Sequence, residues 1–321
     1  MTLKIENLSF RFGNKWILRD VNFEALAGQV FGICGTVGSG KTSLLKAIVG
    51  ELNLSSGAIY VESQNVTTLG TKRGFGLLTE EARSGFLSLV AISKQKGSRF
   101  ESRLQKFEDF LKANSKIILL DDPFVGLDNI TRGIFIEKLK GWLTPDRIAV
   151  FASSSFEHIA SVSSNILIID KGYPKQSGTP KDIYEKPEST AAALLTGDAN
   201  LIRARRISSS DADLPEFQTL EGGHRILAQS TPKARLGPLN KDSILAIRPE
   251  QITMSMGASF PEDNLLRAIV TNIEFHGATS LIEFDAGGLC LKTRVFQVVS
   301  LEIGTECMLG LPPDRIVVLR D

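Results

Sequence analysis

The sequence predicts an α/β domain built on a mostly parallel sheet, followed by a smaller all-β domain. Over the first two hundred residues, short apolar runs alternate with helical stretches. A glycine-rich loop joins one of those runs to a helix. Beyond about Asn200 the texture changes to short strands separated by Gly, Pro and Asp turns. Alternating strands and helices pack as a parallel sheet covered on both faces. Closely spaced short strands instead point to a small barrel or sandwich.

The elements follow in order. GQVFGICG (28–35) is an apolar run ending in glycine, and KTSLLKAIVGEL after it carries Leu44, Leu45, Ile48 and Val49 at helical spacing. GAIYVES (57–63) reads as a strand. KIILLDD (116–122) lacks polar alternation and reads as a strand buried on both faces. LQKFEDFL before it places Leu104, Phe107 and Leu111 on one helix face. RIAVFAS (147–153) and NILIID (165–170) are two more strands. RISSSDADLPEFQTLEGG is polar and turn-rich. From Ser243 come ILAI, LLRAIVTNIEF, TSLIEF, LCLKT and IVVL. The expected division is an α/β domain over 1–198, a linker with the first β strands over 199–242, and a β domain over 243–321.

Length and charge exclude several function classes. The 321 residues, at roughly 150 per domain, imply about two domains. With 37 Lys+Arg against 36 Asp+Glu, the chain has no basic field for gripping nucleic acid. No apolar stretch approaches the ~20 residues needed to cross a bilayer. The N-terminus, MTLKIENLSF, lacks a charged-then-apolar leader, so a cytoplasmic protein is expected. Cys34, Cys290 and Cys307 are too few and too scattered for a disulfide framework or a metal cage.

The strongest chemical signal is Gly35-Thr36-Val37-Gly38-Ser39-Gly40-Lys41-Thr42-Ser43, which matches G-x-x-x-x-G-K-[ST] between a strand and a helix. Glycines let successive backbone N–H groups turn inward around a phosphate, and the helix N-terminus adds positive potential. Lys41 is placed to reach the β- and γ-phosphates, and the Thr42 hydroxyl to ligate Mg²⁺. Asp121, at the C-terminal end of a buried strand, sits where α/β proteins hold their ligands and is a second Mg²⁺ candidate. ATP and Mg²⁺ are therefore the expected ligands.

These residues, in this order, resemble the nucleotide-binding subunits of ABC transporters. LSFRFGNKWILRDVNFEALAGQVFGICGTVGSGKTSLLKAIVGELNLSSGAIYV is similar to that family's N-terminal half almost position by position. The resemblance puts Phe12 where an aromatic stacks on adenine, although its spacing fits a core aromatic equally well. DDPFVGLD resembles the Walker B strand end plus D-loop, which makes Asp128 the aspartate that communicates across a dimer. Asp128 also suits a helix N-cap. QSGTPKDIYEKPEST with LLTGDANLI resembles the maltose- and polyamine-type importers, and LAIRPEQITM the opening of their OB-like TOBE module. The expected fold is therefore an α/β P-loop NTPase of ABC type, with a shortened helical subdomain, followed by an all-β OB-like TOBE domain.

The family pattern fails at four places. The catalytic glutamate is replaced by Asp122, still a carboxylate but one methylene shorter, and a misplacement of about 1 Å costs on the order of a hundredfold in rate. The switch histidine aligns with Ser154, whose neutral hydroxyl stabilises developing charge less. His158 lies a turn onward, as a substitute or facing elsewhere. The Q-loop glutamine, a Mg²⁺ and water ligand, aligns with Glu80, which is equally readable as a solvated acid. The LSGGQ motif aligns with GSRFE (97–101). Ser98 is kept, with Ser93 a less well-spaced alternative, while Arg99 and Phe100 replace glycines. A Cβ there crowds the phosphate approach, unless Arg99 adds charge in the manner of an arginine finger. The short interval from Glu80 to Ser98 replaces a helical subdomain of several tens of residues.

Two readings stay open on these residues. One is an ATP-binding, slowly hydrolysing subunit that energises solute import from the cytoplasmic face of the inner membrane. It would be peripheral, paired with transmembrane permease subunits and, indirectly, an extracytoplasmic solute-binding protein. The other is a nucleotide-gated regulatory or structural subunit beside a more active ATPase. Homodimer and heterodimer are both compatible, and no nucleic-acid partner is expected.

Overall fold

A computed structural model describes residues 1–79, 99–208, 215–228, 236, 238–257, 263–296 and 301–320, with the backbone alone at 99–102. The chain parts into two compact units, Met1–Pro180 and Lys181–Asp321. Among the described residues no helix is long and apolar enough to cross a membrane.

The first unit opens with β1 (Thr2–Phe12) and β2 (Lys15–Leu26), an antiparallel hairpin turning at Gly13, where φ is +57°. β2 buries Val21, Phe23 and Ala25 and exposes Asp20, Asn22 and Glu24, the alternation of a half-buried strand. β4 (Ser56–Val61) pairs antiparallel with β1 and carries β5 (Gln64–Asn65), giving the order β2-β1-β4-β5. The strand expected at 57–63 therefore joins a separate antiparallel sheet and not the parallel one. Its partner is settled by the β1 register, Leu3 to Val61 and Ile5 to Ile59, which no local pattern encodes.

The parallel sheet contains β3 (Val30–Gly35), β6 (Gly76–Thr79), β7 (Ile117–Asp121), β8 (Ile148–Ser153) and β9 (Asn165–Asp170), with β10 (Tyr173–Gly178) antiparallel at one edge. Its order is β10-β9-β3-β8-β7-β6. Every residue of β3, β7 and β8 is buried, so their apolar runs need no alternation. Cys34 pairs with Ser153 and Ala152 with Asp121, which brings three strand ends to one edge. That edge, at the carboxyl ends of parallel strands, is where this architecture forms its crevice.

Helix α1 (Lys41–Val49) buries Leu44, Leu45, Ile48 and Val49 in a core shared with the antiparallel sheet and one face of the parallel sheet. Phe23 and Phe31 stack within that core, with centroids 4.6 Å apart. Helices α2 (Arg99–Lys112) and α3 (Asn129–Trp142) meet through the stacked rings of Phe107 and Phe135. Short α4 (Phe156–Ala160) follows β8.

The second unit begins with α5 (Pro180–Glu185) and α6 (Thr190–Thr196). Strands β11 (Asn200–Arg206), β12 (Glu216–Thr219), β13 (Arg225–Leu227), β14 (Asp242–Ile247) and β20 (Val317–Val318) form one sheet. Strands β15 (Thr253–Ser255), β16 (Asn264–Phe275), β17 (Ser280–Ala286), β18 (Leu289–Val295) and β19 (Glu306–Leu311) form another. Phe217, Ile202, Phe284 and Leu309 share their core. The sequence predicts a first domain reaching 198, whereas the compact units part at 180/181. Residues 181–198 go with the β unit because Ala193 packs with Ala246, Val317 and Leu319. The Arg248 guanidinium also donates to the carbonyls of Tyr184, Ala193, Gly197 and Asp198.

Candidate nucleotide-binding site

The loop from Gly35 to Gly40 connects buried β3 to α1 and projects Val37, 91% exposed, at its apex. Gly38 and Gly40 hold φ of +81° and +102°, conformations that glycine adopts without the Cβ clash. Gly35 is glycine for a different reason: a Cβ there would stand 2.4 Å from the Ile169 carbonyl oxygen and 2.5 Å from Ser39 Oγ. Thr36 and Gly38 are exposed, and Ser43 is half-buried. Ser39 is buried, and its Oγ has no hydrogen-bond partner. An orphaned hydroxyl beneath a glycine-lined loop fits a ligand rich in acceptors.

Lys41, 6% exposed, turns back into the loop and donates from Nζ to Gly35 O at 2.8 Å and Thr36 O at 3.0 Å. Burial pulls its pKa down, opposed by the charges of Asp122, Cys34 and Asp121. An ammonium offers three donors, so one remains beyond those two carbonyls. Thr42, next on α1, donates from Oγ1 to Asp121 Oδ2 at 2.7 Å, across 79 residues of sequence. Burial raises the Asp121 pKa, while the Thr42 hydrogen bond opposes the shift. A hydroxyl and a carboxylate oxygen in contact below a buried ammonium make a suitable donor set for a hard divalent cation.

Asp122 follows at φ +46°, a left-handed conformation that Asp tolerates better than most residues. Its amide donates to Ala152 O at 2.8 Å. Its Oδ1 accepts from Ser153 Oγ at 2.5 Å and from the Ser154 amide at 3.3 Å. The backbone of Ser154 thus makes this contact, while its residue is exposed. Ser155 caps α4, its Oγ accepting from the His158 amide. The His158 ring stands edge-on to Phe124, 5.8 Å between centroids, and Phe124 packs on Phe151. His158 is therefore engaged in packing; burial, then the Arg132 charge, lowers its pKa.

Asp128 sits at the N-cap of α3, where Oδ1 accepts from the Thr131 amide and Oδ2 from the Thr131 hydroxyl, and those bonds hold its carboxyl below the usual range. Between Asp122 and Asp128 the turn is held by Arg103 of α2, which donates to Val125 O at 2.8 Å and Pro123 O at 3.2 Å. Phe12 ends β1 at 78% exposure, so it is no core aromatic. Nearby on β2, the guanidinium carbons of Arg11 and Arg19 stand 5.8 and 5.0 Å from the Trp16 ring centroid. Glu80, Ser93 and Ser98 lie outside the described residues, as do the side chains of Arg99 and Phe100. The expected shortening of the helical subdomain falls there too.

The structure thus brings Lys41, Thr42, Asp121 and Asp122 together at one sheet edge. Sequence reasoning missed Ser153 and Arg103. Ser153 carried a signal, since it ends the strand RIAVFAS (147–153) and adjoins Ser154, the residue aligned with the switch histidine. Arg103 carried none.

Fold and site together define a P-loop ATPase joined to a β domain. Residues 18–109 match the ABC transporter family and residues 245–319 the TOBE domain. The Fe(3+) ions import ATP-binding protein of Escherichia coli O157:H7 is 24% identical over 99% of this chain and 98% of its own. The molybdate/tungstate import ATP-binding protein of Pyrococcus horikoshii is 25% identical over 94% of both chains. The sulfate/thiosulfate import ATP-binding protein of Mannheimia succiniciproducens is 27% identical over 89% of this chain and 88% of its own. The chain thus carries an ABC transporter domain followed by a TOBE domain, and it is similar over nearly its whole length to ATP-binding proteins of importers.

Proposed function

We propose that this chain is the ATP-binding subunit that energises solute import through an ABC transporter, with slow hydrolysis. The relatives named as import ATP-binding proteins, matched over nearly their full lengths, support import. The observation that carries nucleotide binding is the convergence of Lys41 Nζ and the 2.7 Å Thr42–Asp121 pair beneath a loop that needs its glycines. ATP enters with its β- and γ-phosphates against the loop amides, and Lys41 exchanges two carbonyls for phosphate oxygens. Thr42 and Asp121 would hold Mg²⁺, which would neutralise phosphate charge. Phe12, exposed at the end of β1, offers the adenine a stacking face.

Asp122 accepts the proton of the attacking water. Its short arm limits its reach and makes turnover slow. Asp128 contacts a second ATP-binding subunit across a dimer, while transmembrane permease subunits dock the pair peripherally at the inner face of the membrane. Glu80 and Ser98 complete the water and partner-phosphate contacts in this reading.

Equilibrium binding of ATP with Mg²⁺ and with chelator tests it. Micromolar binding that needs Mg²⁺, weakened about a hundredfold or more by Lys41→Ala, roughly 2.7 kcal/mol, is the expected result. Equal affinity in the variant overturns it.

A further inference from the structure

We propose that Ser153 is a positioning residue for ATP hydrolysis, holding Oδ1 of Asp122 so that Oδ2 is presented to the attacking water. The inference rests on the reading of Asp122 as the base. Asp122 is one methylene shorter than glutamate, so its carboxylate reaches water only from a fixed place. The structure fixes the residue three times on the end of β8, once through its backbone and twice through its carboxylate. The Asp122 amide donates to Ala152 O, while Ser153 Oγ and the Ser154 amide both donate to Oδ1. Among the described residues no hydrogen bond is made to Oδ2, and an ionised carboxylate accepts through both oxygens.

Ser153 is built to hold this geometry. It is 1% exposed, so water does not compete for its hydroxyl. Its Oγ also accepts from the Ser155 amide at 3.1 Å, which steers its single proton toward Asp122. Ser155 is itself fixed, because its Oγ caps α4. The run Ser153–Ser155 therefore has three separate tasks: a hydroxyl donor, an amide donor and a helix cap. Buried as it is, Ser153 acts through Asp122.

The test is steady-state ATP hydrolysis by the full chain with Mg²⁺, alongside ATP affinity. Ser153→Ala is expected to lower kcat roughly 10- to 100-fold with KM and ATP affinity unchanged. Ser153→Thr, which keeps the hydroxyl, should restore most of the rate. An unchanged kcat, a matching loss of affinity, or a rate in Ser153→Thr no better than in Ser153→Ala overturns the inference. Undetectable hydrolysis by the wild type overturns it too, while leaving nucleotide binding standing. Absence of ATP binding instead defeats the functional reading beneath it.

Discussion

Two buried cations, one in each unit, show how differently a charge can be held. Arg248 in the β unit is 4% exposed and donates to the carbonyls of Tyr184, Ala193, Gly197 and Asp198 and to Thr196 Oγ1, with the Tyr184 ring 4.2 Å from its guanidinium carbon. Lys41 is nearly as buried but makes two hydrogen bonds, both to a loop that opens on solvent. Burial lowers the pKa of both. The guanidinium fork is saturated by fixed backbone, as suits a scaffold. The ammonium keeps replaceable partners, as suits a ligand site.

Substituting each cation should separate the two roles, with the largest effect at Lys41. Lys41→Ala should abolish the rise in melting temperature that ATP gives the wild type, because a ligand stabilises only the state it binds. The unliganded melting temperature should hardly fall, since removing a desolvated charge offsets the loss of its two hydrogen bonds. Arg248→Met should do the reverse. It orphans several buried carbonyls, for a loss of about 3 kcal/mol in the β unit, and leaves ATP affinity intact. Denaturant melts with and without nucleotide report both quantities. If Arg248→Met lost ATP affinity in a folded protein, the contrast between scaffold and site would be wrong.

A smaller effect is expected at His158. Its folded pKa lies below the ordinary value of 6.5, through burial and then Arg132, so the fold prefers the neutral ring. The unfolded chain then binds more protons, and stability rises with pH in that range. The contribution is present above about pH 6.5 and is lost as pH falls below it. His158→Gln should flatten the melting temperature between pH 5.5 and 7.5; an unaltered slope would place the titration elsewhere.

Local pattern made much of this legible. The run Gly35–Ser43 names its own turn, because each glycine answers a backbone or packing demand. Asp128 could be read as a cap because Asp is favoured at helix N-termini, and it does cap α3 by accepting from the Thr131 amide. The buried strands β3, β7 and β8 stood out as unbroken apolar runs. What escaped depends on pairing between distant segments. The antiparallel sheet is decided by the register of β1 with β4, and α6 is drawn to the β unit by Arg248, more than fifty residues on. Ser153 meets Asp122 across 31 residues, and Arg103 meets the following turn across 20 and 22. No periodicity reports a contact of that kind.

The most direct test compares ATP affinity with turnover in the wild type, Asp122→Asn and Asp122→Glu. Tight Mg²⁺-dependent binding in all three is predicted, with slow hydrolysis in the wild type, none in Asp122→Asn and a faster rate in Asp122→Glu, whose longer arm lifts the limit on reach. Rapid hydrolysis that Asp122→Asn leaves unchanged would contradict the assignment of the base and, with it, the division between an intact binding edge and an impaired hydrolytic one.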